Sequence, residues 1–101
     1  MNSQLSTEDN KVVVTLSGRF TAADSSSFRR LIEELPLDGK DGAVFDLAQL
    51  SFVDSAALGL LVLARDAVSD HGLEMSIRAL QGQVKKTFEL FHFDQLFTIE
   101  A

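Results

Sequence analysis

Asp54 and Ser55 stand side by side at the head of the longest apolar run in the chain, Ala56 to Ala64. A carboxylate and a hydroxyl placed there can do two kinds of work. Either oxygen can accept a hydrogen bond from a free N–H in the first turn of a helix, a capping role worth about 1 kcal/mol. The hydroxyl can also carry a phosphoryl group, which adds about −1.5 to −2 charge at pH 7. Two details point beyond capping. So apolar a helix has little use for two capping residues in tandem. Gly59, one turn in, costs about 1 kcal/mol relative to alanine unless something approaches its backbone closely. The neighbouring strand and a partner molecule are both candidates for that close approach.

Other residues offer less. Ser25-Ser26-Ser27 are further hydroxyls, but a serine run early in a helix is ordinarily just solvated. His71, beside Gly72, suits a helix end, where its charge complements the dipole. His92 is similar, and the two show no metal-ligand spacing with each other or with an acid. Asp41, Asp46 and Asp54 could gather around one rim of a sheet as a phosphoacceptor-aspartate cluster. That chemistry also needs acids on the first strand and a lysine late in the sheet, and neither is present. No run resembles a nucleotide-cradling GxxxxGK[ST] loop. An enzyme using Ser55 as nucleophile would need a distant His71 or His92 as its base. We therefore expect no catalysis, no cofactor and no metal.

The elements that must position Ser55 read as alternating strands and helices. Val12 to Leu16 is a β-branched strand ended by Ser17-Gly18, pairing with a weaker strand around Ser3–Thr7 through a turn at Asp9-Asn10. Thr21 to Asp24 has the spacing of a helix start, with Thr21 as the cap and Asp24 in the first turn. Phe28, Leu31, Ile32 and Leu35 then form one stripe, and Pro36 stops the helix. After a turn-rich loop, Asp38 to Gly42, the segment Ala43 to Leu47 reads as a buried central strand. Phe52 to Gly59 joins it, at one rim of the sheet, to a helix over Ala56 to Val68 that is largely enclosed. Leu73 to Ala79 suggests another strand. Val84, Phe88 and Phe91 mark the buried face of a last helix, and Leu96 to Ile99 a closing strand. This order predicts one α/β domain over residues 1–101, with a mixed sheet of four to five strands covered by three to four helices.

Composition narrows the function. The chain has 101 residues, 46% hydrophobic, enough for one core without staples. It has no cysteine, which removes disulfides and thiolate metal sites and fits a reducing compartment. Fifteen acidic residues against nine basic ones give a net charge of −6. Such a surface repels phosphate backbones and anionic lipid, so neither nucleic acid nor a membrane surface is an expected partner. The Lys85-Lys86 and Arg29-Arg30 pairs read as solvated helix faces. The start of the chain lacks a signal-peptide layout, and no apolar run approaches the ~20 residues of a spanning helix. A cytoplasmic location is the expectation.

Phe52-Val53-Asp54-Ser55-Ala56-Ala57-Leu58-Gly59, after a strand ending in Asp46-Leu47, resembles the signature of the STAS domain of bacterial anti-sigma factor antagonists. The Leu16 to Phe20 strand end, the Val84 to Leu90 helix and the Phe93 to Phe97 step extend the resemblance over nearly the whole chain. It implies that Ser55 is phosphorylated by a kinase that is also the binding partner, an anti-sigma factor with serine kinase activity. A metal-dependent serine phosphatase would reverse the modification. Asp54, Ser55, Ala56, Leu58 and Gly59 would lie on the surface that the partner covers. There are departures. Ala56-Ala57 replaces the family's frequent Ser or Thr followed by Gly, which leaves Ser55 as the single local acceptor. Thr21 stands where an acid is common, and His92 where glycine is frequent, a change that left-handed backbone geometry tolerates.

Phosphate at a helix start changes the fold little, because the dipole partly stabilises the charge while Asp54 opposes it. Burying it under a partner costs several kcal/mol, and each ~1.4 kcal/mol is tenfold in affinity. The expected function is therefore an antagonist that binds its kinase when Ser55 is unmodified and releases it when phosphorylated. The alternative is an interaction subunit with a non-sigma output, on a transport ATPase or in secretion or biofilm control.

Overall fold

Asp9 and Asn10 both adopt left-handed backbone, at φ 50° and 60°. That geometry closes a two-residue turn whose twist matches two antiparallel strands. It joins β1 (Asn2–Glu8) to β2 (Lys11–Phe20). The computed structural model describes residues 1–100. From β2 the chain alternates through α1 (Ser25–Glu33), β3 (Gly42–Val53), α2 (Ser55–Asp70), β4 (Met75–Arg78), α3 (Gly82–Leu90) and β5 (Thr98–Ile99). The sheet runs β1-β2-β3-β4-β5, antiparallel at the first pair and parallel at the rest. Short 3-10 turns precede α1 (Ala22–Asp24) and follow α3 (Phe93–Gln95). The expected α/β architecture is the one observed.

Because each crossover steps the same way across the sheet with the same hand, the helices share one face. Val12, Val14 and Leu16 of β2, Ala43, Phe45 and Leu47 of β3, and Met75 and Ile77 of β4 point into a single core with Phe28, Leu61, Val68 and Phe88. Phe28 lies between Phe20 and Phe45, with ring centroids 4.8 and 6.2 Å away, which locks α1 onto the sheet. Alternation puts Val13 and Val44 on the opposite face, buried yet outside that core. Arg78 and Asp46 share that face. Arg78 donates to Asp46 at 3.0 Å and to Glu8 at 2.9 Å, tying β4, β3 and β1 together.

Several expectations need correction. β3 does not end at Leu47 but runs to Val53, so Phe52 and Val53 are strand and not loop. β2 likewise continues past Ser17-Gly18 to Phe20, across register shifts that Gly18, at φ 82°, helps accommodate. β4 is shorter than Leu73–Ala79, and β5 is only two residues. Phe91 is 48% exposed, because α3 stops at Leu90 and the stripe leaves the helix with it. The next residue, His92, sits at φ 59°, the left-handed geometry expected where relatives place glycine. Asp41, Asp46 and Asp54 form no cluster. Asp41 precedes β3, Asp54 follows it, and Asp46 is committed to Arg78. Among the described residues no helix is long and apolar enough to cross a membrane.

Candidate functional site

A single residue, Asp54, joins β3 to α2, and it holds an extended conformation at φ −108° and ψ 179°. Both of its carboxylate oxygens are engaged. Oδ1 accepts from the Ala57 N–H at 2.8 Å, capping α2, and Oδ2 accepts from the Ala22 N–H at 3.2 Å. Its own N–H donates to the Phe20 carbonyl at 3.4 Å. Asp54 thus ties the start of α2 to the turn that leads into α1. Thr21 caps that turn as expected, Asp24 caps back in return, and the turn is a 3-10 one that ends before α1 begins at Ser25. The Ala23 N–H donates to Thr21 Oγ1 at 3.3 Å, and the Thr21 N–H to Asp24 Oδ2 at 2.9 Å. Two helix starts therefore stand side by side at the carboxyl edge of β2 and β3.

With the cap supplied by Asp54, Ser55 becomes the first helical residue. It is exposed, and its hydroxyl makes no hydrogen bond to any described residue. The ambiguity over which oxygen caps the helix is resolved in favour of Asp54. Ala56 and Gly59 are also exposed, and Leu63 is 37% exposed. These positions fall on one helical stripe, so α2 is largely enclosed, as expected, but keeps one side open. Leu58 lies on the far side of the helix at 0% exposure, in the core, and cannot form part of a surface that a partner covers. A Cβ on Gly59 would meet nothing within 4 Å, so the glycine does not make room for a strand. It lowers the floor of a groove between α1 and α2.

That groove, of about 420 Å³, is lined by Ala22, Ser25, Arg29, Ala56, Gly59, Leu60 and Leu63. Past Arg29 and Leu63 it runs on to Ile32 and Glu33. Arg29 Nε donates to Ser25 Oγ at 3.3 Å, and Ser27 Oγ donates to the Asp24 carbonyl at 3.1 Å, so two of the three serines of that run are locally engaged. Arg19 stacks on Phe52, its Cζ 4.3 Å from the ring centroid, on the strand ends beside the site.

Two residues that sequence reasoning passed over hold the site from the other side. Gln83 accepts from the Val53 N–H and donates to the Val53 carbonyl, each at 3.2 Å, so its amide replaces the strand that β4 is too short to supply there. Gln81 donates to the Leu50 carbonyl at 3.1 Å. No periodicity marks either glutamine. Neither histidine reaches Ser55. His71 caps the opposite end of α2, a helix of 16 residues and therefore roughly 24 Å long. Its Nδ1 lies 3.0 Å from the Ala67 carbonyl. His92 follows the far end of α3. The nucleophile-and-base pair that a serine hydrolase needs is not assembled around Ser55.

The family model described as "Mlab, STAS domain" matches residues 3–99. The STAS-domain containing protein PA14_20770 of Pseudomonas aeruginosa (strain UCBPP-PA14) is 29% identical over 94 residues, which span 93% of this chain and 92% of that one. Among solved structures, a putative anti-sigma factor antagonist from Thermotoga maritima superposes with a TM-score of 0.84 at 17% identity, covering 98% of this chain and 86% of its own. The Bacillus cell fate determinant SpoIIAA in its phosphorylated form superposes at 0.69 and 18% identity, covering 99% and 92%. At such identities the structural likeness is one of fold.

Proposed function

The chain belongs to the STAS family, and on that premise we propose that it is a protein-binding regulator switched by phosphorylation of Ser55. In the unmodified state it acts as an anti-sigma factor antagonist, binding an anti-sigma factor with serine kinase activity. Phosphorylation releases that partner, and a metal-dependent serine phosphatase restores binding. The domain itself catalyses nothing. The observation that carries this reading is the free, exposed Ser55 hydroxyl beside an aspartate that has already taken the cap. The hydroxyl is spared from structural duty, so charging it leaves the fold's own hydrogen bonds alone.

The contact surface is Ser55, Ala56 and Gly59, with Asp54 as the anchor beneath. The groove wall supplies apolar area, and an unmodified Ser55 can be covered at the small cost of one hydroxyl. A phosphate there must be stripped of water next to a carboxylate, at several kcal/mol. The fold is also that of SpoIIAA, an anti-sigma factor antagonist solved in unphosphorylated and phosphorylated forms. A second reading keeps the switch and changes the output to a transport ATPase, secretion or biofilm regulator. It draws on the family model's own description, "Mlab, STAS domain", which names no antagonist. Neighbouring genes separate the two: a kinase and phosphatase pair, or a transporter operon.

The test is incubation with ATP and a candidate anti-sigma serine kinase from the same organism, followed by mass spectrometry that localises the phosphate. Label on Ser55, absent from Ser55→Ala, is the expected result. Ser55→Ala should bind the kinase constitutively, and Ser55→Glu should lose it. Label confined to Ser25, Ser26 or Ser27, or a Ser55→Glu protein that binds as tightly as wild type, would overturn the proposal.

A further inference from the structure

We propose that Arg29 is the internal counter-ion of the Ser55 phosphate, so that the modified side chain folds into the α1–α2 groove and closes the surface offered by the unmodified form. The inference rests on Ser55 being the phosphoacceptor and adds where the phosphate goes. α1 and α2 each follow one of two adjacent parallel strands, so they run side by side with both starts at the same sheet edge. Arg29 lies one turn along α1 from Ser25. Its Nε donates to Ser25 Oγ at 3.3 Å, so the guanidinium is turned back toward the edge where Ser55 sits. It lines the same groove as Ala22 and Ala56, the residues that flank the Asp54 bridge.

Arg29 makes no salt bridge among the described residues, unlike Arg65 and Arg78. One neutral hydroxyl leaves most of its five donors unused, and a phosphate matches that fork in two places at once. Gly59 puts no side chain in the way. The other charges around the phosphate are accounted for. Asp54 is adjacent and like-charged, but both its oxygens already accept from N–H groups. The Asp24 carboxylate is held by the Thr21 N–H and the Met1 ammonium. Glu33 lies a turn beyond Arg29, and Arg19 is stacked on Phe52. Lys85 and Lys86 are on α3, outside the groove. Arg29 is the one cation that lines it.

The experiment installs phosphoserine at position 55 of the full chain during translation and follows the ³¹P resonance with pH. The second ionisation of a phosphoserine lies near pH ~6. We expect it to be lower in the parent than in Arg29→Gln by roughly 0.3–0.7 of a pH unit, and the difference to shrink with added salt. Arg30→Gln, one residue along and outside the groove, should leave the titration where it was. Superimposable titrations of the parent and Arg29→Gln would overturn the inference. So would an Arg30→Gln shift equal to that of Arg29→Gln, because general charge would then be the cause. The phosphate is present by construction, so this result does not depend on any kinase. Failure of a kinase to label Ser55 would sink the preceding proposal and leave this titration standing.

Discussion

A carboxylate that receives one backbone N–H on each oxygen works as a bracket, and Asp54 brackets two helix starts with a single side chain. Removing it exposes an uncapped turn in α2 and frees the Ala22 N–H together. We expect Asp54→Ala to cost about 1–2 kcal/mol. In a domain of this size that lowers the melting temperature by roughly 4–8 °C per kcal/mol. Asp54→Asn keeps an acceptor oxygen for the cap and should recover most of the loss, since asparagine caps about as well. Thermal denaturation followed by circular dichroism checks both, and an Asp54→Ala protein as stable as wild type would show the bracket to be idle. The division of labour at Asp54-Ser55 was only half legible in the sequence. Residue types marked both as caps, but which oxygen faces Ala57 depends on how β3 enters the helix, and that is a property of the backbone path.

At the scale of the element, α2 is apolar nearly all round yet keeps one stripe open to solvent, Ala56, Gly59 and Leu63. Hydrophobicity alone could not reveal this, because small and aliphatic residues line the exposed stripe as well as the buried one. Gly59 was the legible clue. Its Cβ position is empty space, so the helix-propensity cost is not offset by packing. Gly59→Ala should therefore raise stability by up to about 1 kcal/mol. The larger Gly59→Leu should fill the groove and weaken partner binding at least tenfold while the protein stays folded. Calorimetric titration with the partner reads this directly, and an affinity unchanged by Gly59→Leu would remove the groove from the contact surface. β3 shows a different kind of miss. Leu50 and Val53 are buried while Gln49 and Ser51 are exposed, a spacing of three that breaks strand alternation where the register shift between Gly18 and Arg19 skips Ser51. No regular alternation therefore marks this end of β3 as strand.

The whole molecule has two unlike faces. All three helices and the Phe20–Phe28–Phe45 cluster lie on one face, while the other is closed by Val13 and Val44 and by Arg78 bridging to Glu8 and Asp46. Glu8 first, and Asp46 next, push the ionisation of Arg78 above its ordinary value. That linkage is fully present below the ordinary arginine range and is lost only as pH rises through the elevated one, so acid and neutral pH leave arginine's side of it intact. This fold order was readable from alternating periodicity and turn residues. The reach of each strand was not, because bulges and glutamine side chains, more than propensity, set where β2 and β3 stop. None of the contacts that hold the core involves the Ser55 hydroxyl, so a switch there should change binding and spare the fold. The decisive measurement is the dissociation constant of the cognate serine kinase for the unmodified chain and for the chain carrying phosphoserine at position 55. We predict at least a hundredfold weaker binding for the phosphorylated form, about 2.7 kcal/mol, with the melting temperature nearly unchanged. Equal dissociation constants for the two forms would contradict the account.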